Sequence, residues 1–118
     1  MHWLTAKKPL PLTILAVGVD IETIRPILPG VPARVCAQEE LRVFEFFELW
    51  VLKESFIKVF GNTKIALKSI VFSLENGRIL TPDSGITARL FHNIPGCKAA
   101  VCTTGDIIPE FIEIVDKP

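Results

Sequence analysis

The 118-residue chain has no surplus of charge: thirteen Lys and Arg balance thirteen Asp and Glu. That balance removes the global attraction to nucleic acid or to an anionic membrane that a basic protein would show. No apolar run is long enough to span a bilayer, which takes about 20 residues. The nearest candidate, Leu10 to Val19, follows Lys7 and Lys8 as a secretory leader would. Pro9 and Pro11 interrupt that pattern, and Asp20 and Glu22 follow it at once, so a buried strand is the better assignment. Histidine is scarce: His2 lies beside the first residue, and His92 follows Phe91 in a strand-like segment, each read as a surface or structurally bonded side chain. Cys36, Cys97 and Cys102 have no metal-type spacing and no leader before them, which points to free thiols in a reducing cytoplasm. Internal repeats and low-complexity segments are absent.

What is present is an ordinary globular composition, 49% apolar and 22% charged. It implies one folded domain over residues 1–118 with a real hydrophobic core. Residues 1–11 read as an irregular lead-in. Leu12 to Ile21, rich in Val, Ile and Leu, reads as a strand. Pro26, Pro29, Gly30 and Pro32 mark a loop, and one long helical pattern then runs from Ala33 to Phe60, stopped by Gly61 and Asn62. The remainder reads as β: Ile65 to Leu74, a Glu75-Asn76-Gly77 hairpin turn, Arg78 to Thr81, Ile86 to Asn93, a Pro95-Gly96 turn, Lys98 to Thr103, and Phe111 to Val115 closing the sheet. The expected class is α+β, a long helix packed on an antiparallel sheet.

Two groups of residues carry chemistry. In Gly18-Val19-Asp20-Ile21-Glu22 the carboxylates are two apart on a strand and share a face, while Val19 and Ile21 point the other way into the core. Such a pair is either a solvated rim or a hard-oxygen site for a divalent cation such as magnesium. In Trp50-Val-Leu-Lys53-Glu54-Ser55-Phe-Ile-Lys58-Val-Phe-Gly61, Glu54 and Lys58 lie four apart on one helix face. They are either an exposed ion pair or a third cation ligand with a lysine reaching a phosphate. Trp50 reads as core filler. Phe44, Phe46 and Phe47 with Trp50 are too many aromatics for one core face, so some are expected at a partner-protein or subunit contact.

Gly-Val-Asp-Ile-Glu resembles the first signature of the 4'-phosphopantetheinyl transferases. The Trp50–Gly61 segment resembles the second, W-x-x-K-E-[SA]-x-x-K-x-x-G, at every fixed position. The resemblance covers roughly residues 16 to 115 and is closer to the second half of the larger, surfactin-synthetase-activating type. It implies transfer of phosphopantetheine from coenzyme A to a serine of an acyl or peptidyl carrier protein. It implies Asp20, Glu22 and Glu54 as magnesium ligands, Lys58 and Lys53 as coenzyme A contacts, and Glu40 as a catalytic base beside Glu54 and Lys58. The larger type has two similar halves, and the histidine-bearing segment of its first half has no counterpart in Met1 to Val17. Three arrangements fit: a small enzyme that self-associates as a dimer or trimer, a piece lacking half its coenzyme A site, or a non-catalytic half-domain that docks a carrier protein or partner subunit.

Overall fold

The computed structural model describes residues 2–6, 16–61, 65–105, 108–110 and 112–116, with side chains described between 16 and 110. In chain order the elements are β1 (His2–Ala6), β2 (Val17–Thr23), α1 (Val31–Val35), α2 (Gln38–Leu41), α3 (Phe46–Val59), a 3-10 turn (Leu67–Ser69), β3 (Ser73–Glu75), β4 (Arg78–Leu80), β5 (Ile86–Phe91), β6 (Cys97–Thr104) and β7 (Ile112–Asp116). Helices packed on antiparallel sheet make this an α+β protein, as the patterning predicts.

The long helix expected from Ala33 to Phe60 is three helices. Cys36 and Ala37 are extended, which ends α1 and starts α2. Glu45 is extended as the N-cap of α3, and Glu48 reaches back to its backbone N–H at 2.8 Å. That reciprocal contact at N3 is the capping signal that makes a new helix begin there. Ile65 to Leu74 is also not one strand, because its middle winds into the 3-10 turn and only its end pairs as β3. The hairpin turn holds: Asn76 and Gly77 both take positive φ, 52° and 77°, as a two-residue primed turn requires. The lead-in is not wholly irregular, since β1 pairs antiparallel with β7 from His2↔Asp116 to Ala6↔Ile112. So β7 does not close the main sheet; it forms a separate ribbon with β1. Residues 12–15 of the expected strand Leu12–Ile21 lie outside the described residues, as do Asn62 and Phe111.

The main sheet has the order β2-β6-β5, all antiparallel. Its register sets Gly18 opposite Cys102, Asp20 opposite Ala100 and Glu22 opposite Lys98. Those positions share the face covered by α3. There the main core gathers Leu49, Val51, Leu52 and Phe56 of α3 with Ala100 and Cys102 of β6, Ile86 of β5, and Ile70 and Phe72. Val19 and Ile21 do point away from that face, but onto a smaller cluster with Phe91, Ala99 and Val101 rather than the main core. Gly18 lets β2 and α3 approach: a Cβ there would overlap the Ser55 carbonyl and meet the Lys58 Cβ at 3.0 Å. Cys36 and Cys102 are free, buried thiols pushed up to about 11 by burial. At ordinary pH neither is a thiolate. Among the described residues no helix is long and apolar enough to cross a membrane.

Candidate active site

The site is built where α3 crosses β2. Along a helix, positions four apart rise about 6 Å. Along a strand, positions two apart advance about 6.6 Å. The two repeats match, so the stripe Trp50, Glu54, Lys58 on α3 runs alongside Glu22, Asp20 and Gly18 on β2. Trp50 Nε1 donates to Glu22 Oε1 at 2.9 Å. Lys58 Nζ donates to Asp20 Oδ1 and to the Val19 carbonyl, both at 2.9 Å. Glu54 lies close enough to Asp20 to push its pKa upward. Asp20, Glu22, Glu54 and Lys58, the four residues picked out by strand and helix spacing, therefore lie along one seam.

Asp20 is the strained member. Burial is the main cause that raises its pKa from 3.8 to about 6. Lys58 opposes the rise, and the negative charges of Glu22 and Glu54 add to it. Its Oδ2 is buried and has no hydrogen-bond partner. A buried carboxylate oxygen without a donor is costly unless something positive reaches it. Glu22 is engaged on both sides: besides Trp50, Arg25 donates to its Oε2 at 2.9 Å. Glu54 is half-buried and forms no hydrogen bond or ion pair with a described residue. Among the described residues no three acidic, histidine or cysteine side chains form a ready-made metal cage. The orphaned Asp20 Oδ2, with the free carboxylate of Glu54 nearby, nevertheless suits magnesium, which keeps waters and uses one or two carboxylates plus substrate phosphates.

Two expected site residues are elsewhere. Lys53 and Glu40 are both fully buried. Lys53 Nζ donates to Glu40 Oε1 at 2.7 Å, to the Leu67 carbonyl at 2.9 Å and to the Ile70 carbonyl at 2.8 Å. All three ammonium hydrogens are thus used inside the protein. Glu40 Oε1 also accepts the Ala37 N–H, and Oε2 accepts the Phe72 N–H, each at 2.8 Å. The pair ties α2, α3 and the 67–72 segment together with no side-chain exposure, so the structure does not bring Lys53, expected as a coenzyme A contact, or Glu40, expected as a catalytic base, to the carboxylate seam. Of the clustered aromatics, Phe44 and Phe47 are buried at 8% exposure, while Phe46 and Trp50 are half-buried.

Two residues at the site were missed by sequence reasoning. Trp50 hydrogen-bonds Glu22 instead of only filling space. Arg25 donates to Glu22 and, at 2.8 Å, to the Thr23 carbonyl, and its guanidinium lies 5.1 Å from the Phe47 ring centre. The signal was available in both cases: a buried indole N–H needs an acceptor, and Arg25 is three residues beyond Glu22. A groove of about 440 Å³ lies away from the carboxylates. It lies between the start of α3, β4 and β5, lined by Phe44, Glu48, Arg78, Ile79, Leu90 and His92 among others.

Comparison with known proteins agrees with this geometry. The family described as the 4'-phosphopantetheinyl transferase superfamily matches residues 16–103, which hold every residue of the seam. The 4'-phosphopantetheinyl transferase ffp of Bacillus subtilis is 31% identical over 115 residues, covering 84% of this chain and 51% of the relative. The 4'-phosphopantetheinyl transferase psf-1 of Bacillus pumilus is 30% identical over 115 residues, covering 84% of this chain and 49% of the relative. The chain spans about half the length of both. With the family pattern covering most of its residues, and the paired motifs meeting on one seam, this chain belongs to the 4'-phosphopantetheinyl transferase superfamily.

Proposed function

We propose that this chain supplies the cation- and phosphate-holding part of a site that moves phosphopantetheine from coenzyme A to a carrier-protein serine. The observation that carries this is the orphaned Asp20 Oδ2 beside Lys58, on the seam with Glu22 and Glu54. Asp20 and Glu54, with Glu22 beside them, would hold a magnesium ion, which when bound neutralises the diphosphate and the departing 3',5'-ADP. The serine hydroxyl oxygen bonds to the β-phosphorus, the phosphorus–oxygen bond to 3',5'-ADP breaks, and the electron pair leaves with that group. Lys58 has a side chain 50% exposed, so its ammonium can turn from Asp20 to a phosphate oxygen. Glu54 has no hydrogen-bond or ion-pair partner among the described residues, and its oxygen not engaged by the cation would take the serine proton or orient the water that does.

The chain spans about half the length of the relatives it matches, and phosphoryl transfer gains from water-excluded walls. On that ground the reading includes a second copy, in a dimer or trimer, or a separate partner subunit over the seam. A half-domain that docks carrier protein without catalysis is the competing reading. The test is to incubate the chain with coenzyme A, magnesium and several apo carrier proteins, and to weigh the carriers by mass spectrometry. We expect a gain equal to one phosphopantetheine, lost in Glu54→Ala without a shift in melting temperature. No gain on any carrier, at concentrations where light scattering shows an assembled protein, sinks the enzymatic reading and leaves the docking one.

A further inference from the structure

Glu22 is the most tightly held carboxylate of the seam, and its two restraints come from different elements. Trp50 reaches it from α3 and Arg25 from the segment after β2, each at 2.9 Å and each to a different oxygen. Both restraints are themselves fixed. The Trp50 ring packs on Phe46 with ring centres 5.9 Å apart. Arg25 is pinned by the Thr23 carbonyl and by the Phe47 ring. A glutamate has three rotatable side-chain bonds, and a free one on a strand edge would sample many positions. Here both oxygens are anchored, yet each ionised oxygen keeps a further lone pair.

We propose that Trp50 and Arg25 are positioning residues that fix the geometry in which Glu22 meets a divalent cation shared with Asp20 and Glu54. This rests on the cation reading of the seam. Donors behind a ligating carboxylate orient it, and losing one costs about 10- to 100-fold in metal affinity. Both residues would act through Glu22, the group each of them contacts. Arg25 has a side chain 51% exposed and stands outside the main core cluster.

The experiment is Mn2+ binding to the full chain, followed by the electron paramagnetic resonance signal of the free ion. Trp50→Phe and Arg25→Ala should each weaken binding about 10-fold. Arg25→Lys, which keeps one donor, should recover part of the loss. In a Glu22→Gln background neither substitution should weaken binding further, because both act through that carboxylate. If Trp50→Phe and Arg25→Ala bind Mn2+ as the parent does, or lose as much in the Glu22→Gln background, the positioning role is overturned. Asp20→Asn and Glu54→Ala separate the two levels. If they weaken Mn2+ binding while Trp50→Phe and Arg25→Ala do not, only the positioning role fails. If they too leave it unchanged, the cation reading itself falls. Should Trp50→Phe not fold, the Arg25 series alone decides.

Discussion

Lys53 and Lys58 stand five residues apart on one helix, and their ion pairs have opposite characters. Five residues turn a helix by about 140°, so one lysine points into the protein and the other along the β2 seam. Lys53 and Glu40 have no exposure at all and meet at 2.7 Å. Lys58 and Asp20 meet at 2.9 Å, with side chains 50% and 14% exposed. An ammonium taken wholly out of water must have all its hydrogens satisfied, and Lys53 meets that with Glu40 and two carbonyls. Lys58 needs no such saturation, because water completes its shell. The first lysine is therefore committed to the fold, and the second is available to a ligand. Helix phase alone puts two lysines of one motif in these two settings, one sealed in the interior and one half in water.

The sharpest way to break that contrast is to remove the buried ammonium. Lys53→Met should destabilise the protein by about 3–5 kcal/mol, because Glu40 is left as a buried, unpaired charge. Denaturant unfolding followed by circular dichroism measures it. The double variant Lys53→Met/Glu40→Gln should lose clearly less than the two single losses added together, since no buried charge remains and the amide oxygen can still serve a backbone N–H. If Lys53→Met instead keeps its stability and loses only affinity for coenzyme A, the buried placement of Lys53 is wrong.

A smaller effect is expected at Asp20, and its sign is unusual for a carboxylate near a lysine. Its folded-state pKa is raised, from 3.8 to about 6. The folded protein therefore binds this proton more tightly than the unfolded chain. Its contribution to stability is fully present below about pH 3.8 and is lost as pH rises through about 6. At 1.36 kcal/mol per pKa unit the loss is on the order of 2–3 kcal/mol. Asp20→Asn removes the titration. The stability of the variant relative to the parent should then climb between pH 4 and pH 7 and level off above. A difference that falls over that range would mean that Lys58, not burial, dominates at Asp20.

How much of this was legible in the sequence follows from the same physics. The seam was legible because it depends on two repeats, every second residue on a strand and every fourth on a helix, and both are written in the order of Asp20, Glu22, Glu54 and Lys58. The hairpin at Asn76-Gly77 was legible because a primed turn needs those residues. The breaks at Cys36–Ala37 and Glu45 were not, since neither carries Pro or Gly and the apolar spacing runs through them. Nor was the burial of Lys53 and Glu40. A charged pair 13 residues apart looks exposed until the 67–72 segment is seen to fold over it. Pairing of β7 with β1 depends on two chain ends meeting, for which no local signal exists.

The smallest stability effect separates the two lysines most cleanly. Lys58→Ala removes an ion pair whose lysine is half in water, and such pairs contribute about 0–1 kcal/mol. It also relieves nothing at Gly18, which already leaves room for the Lys58 Cβ, and Ala retains that atom. The stability loss should therefore stay below about 1 kcal/mol and shrink further at high salt, where exposed charges are screened. Thermal unfolding at low and high ionic strength measures both quantities. Phosphopantetheine transfer should nevertheless fall about 100-fold in Lys58→Ala, the usual cost of removing one donor from a developing charge. A variant that is as stable as the parent yet poor in transfer assigns Lys58 to the ligand. A loss of stability as large as that of Lys53→Met would erase the distinction, because both lysines would then be holding the fold.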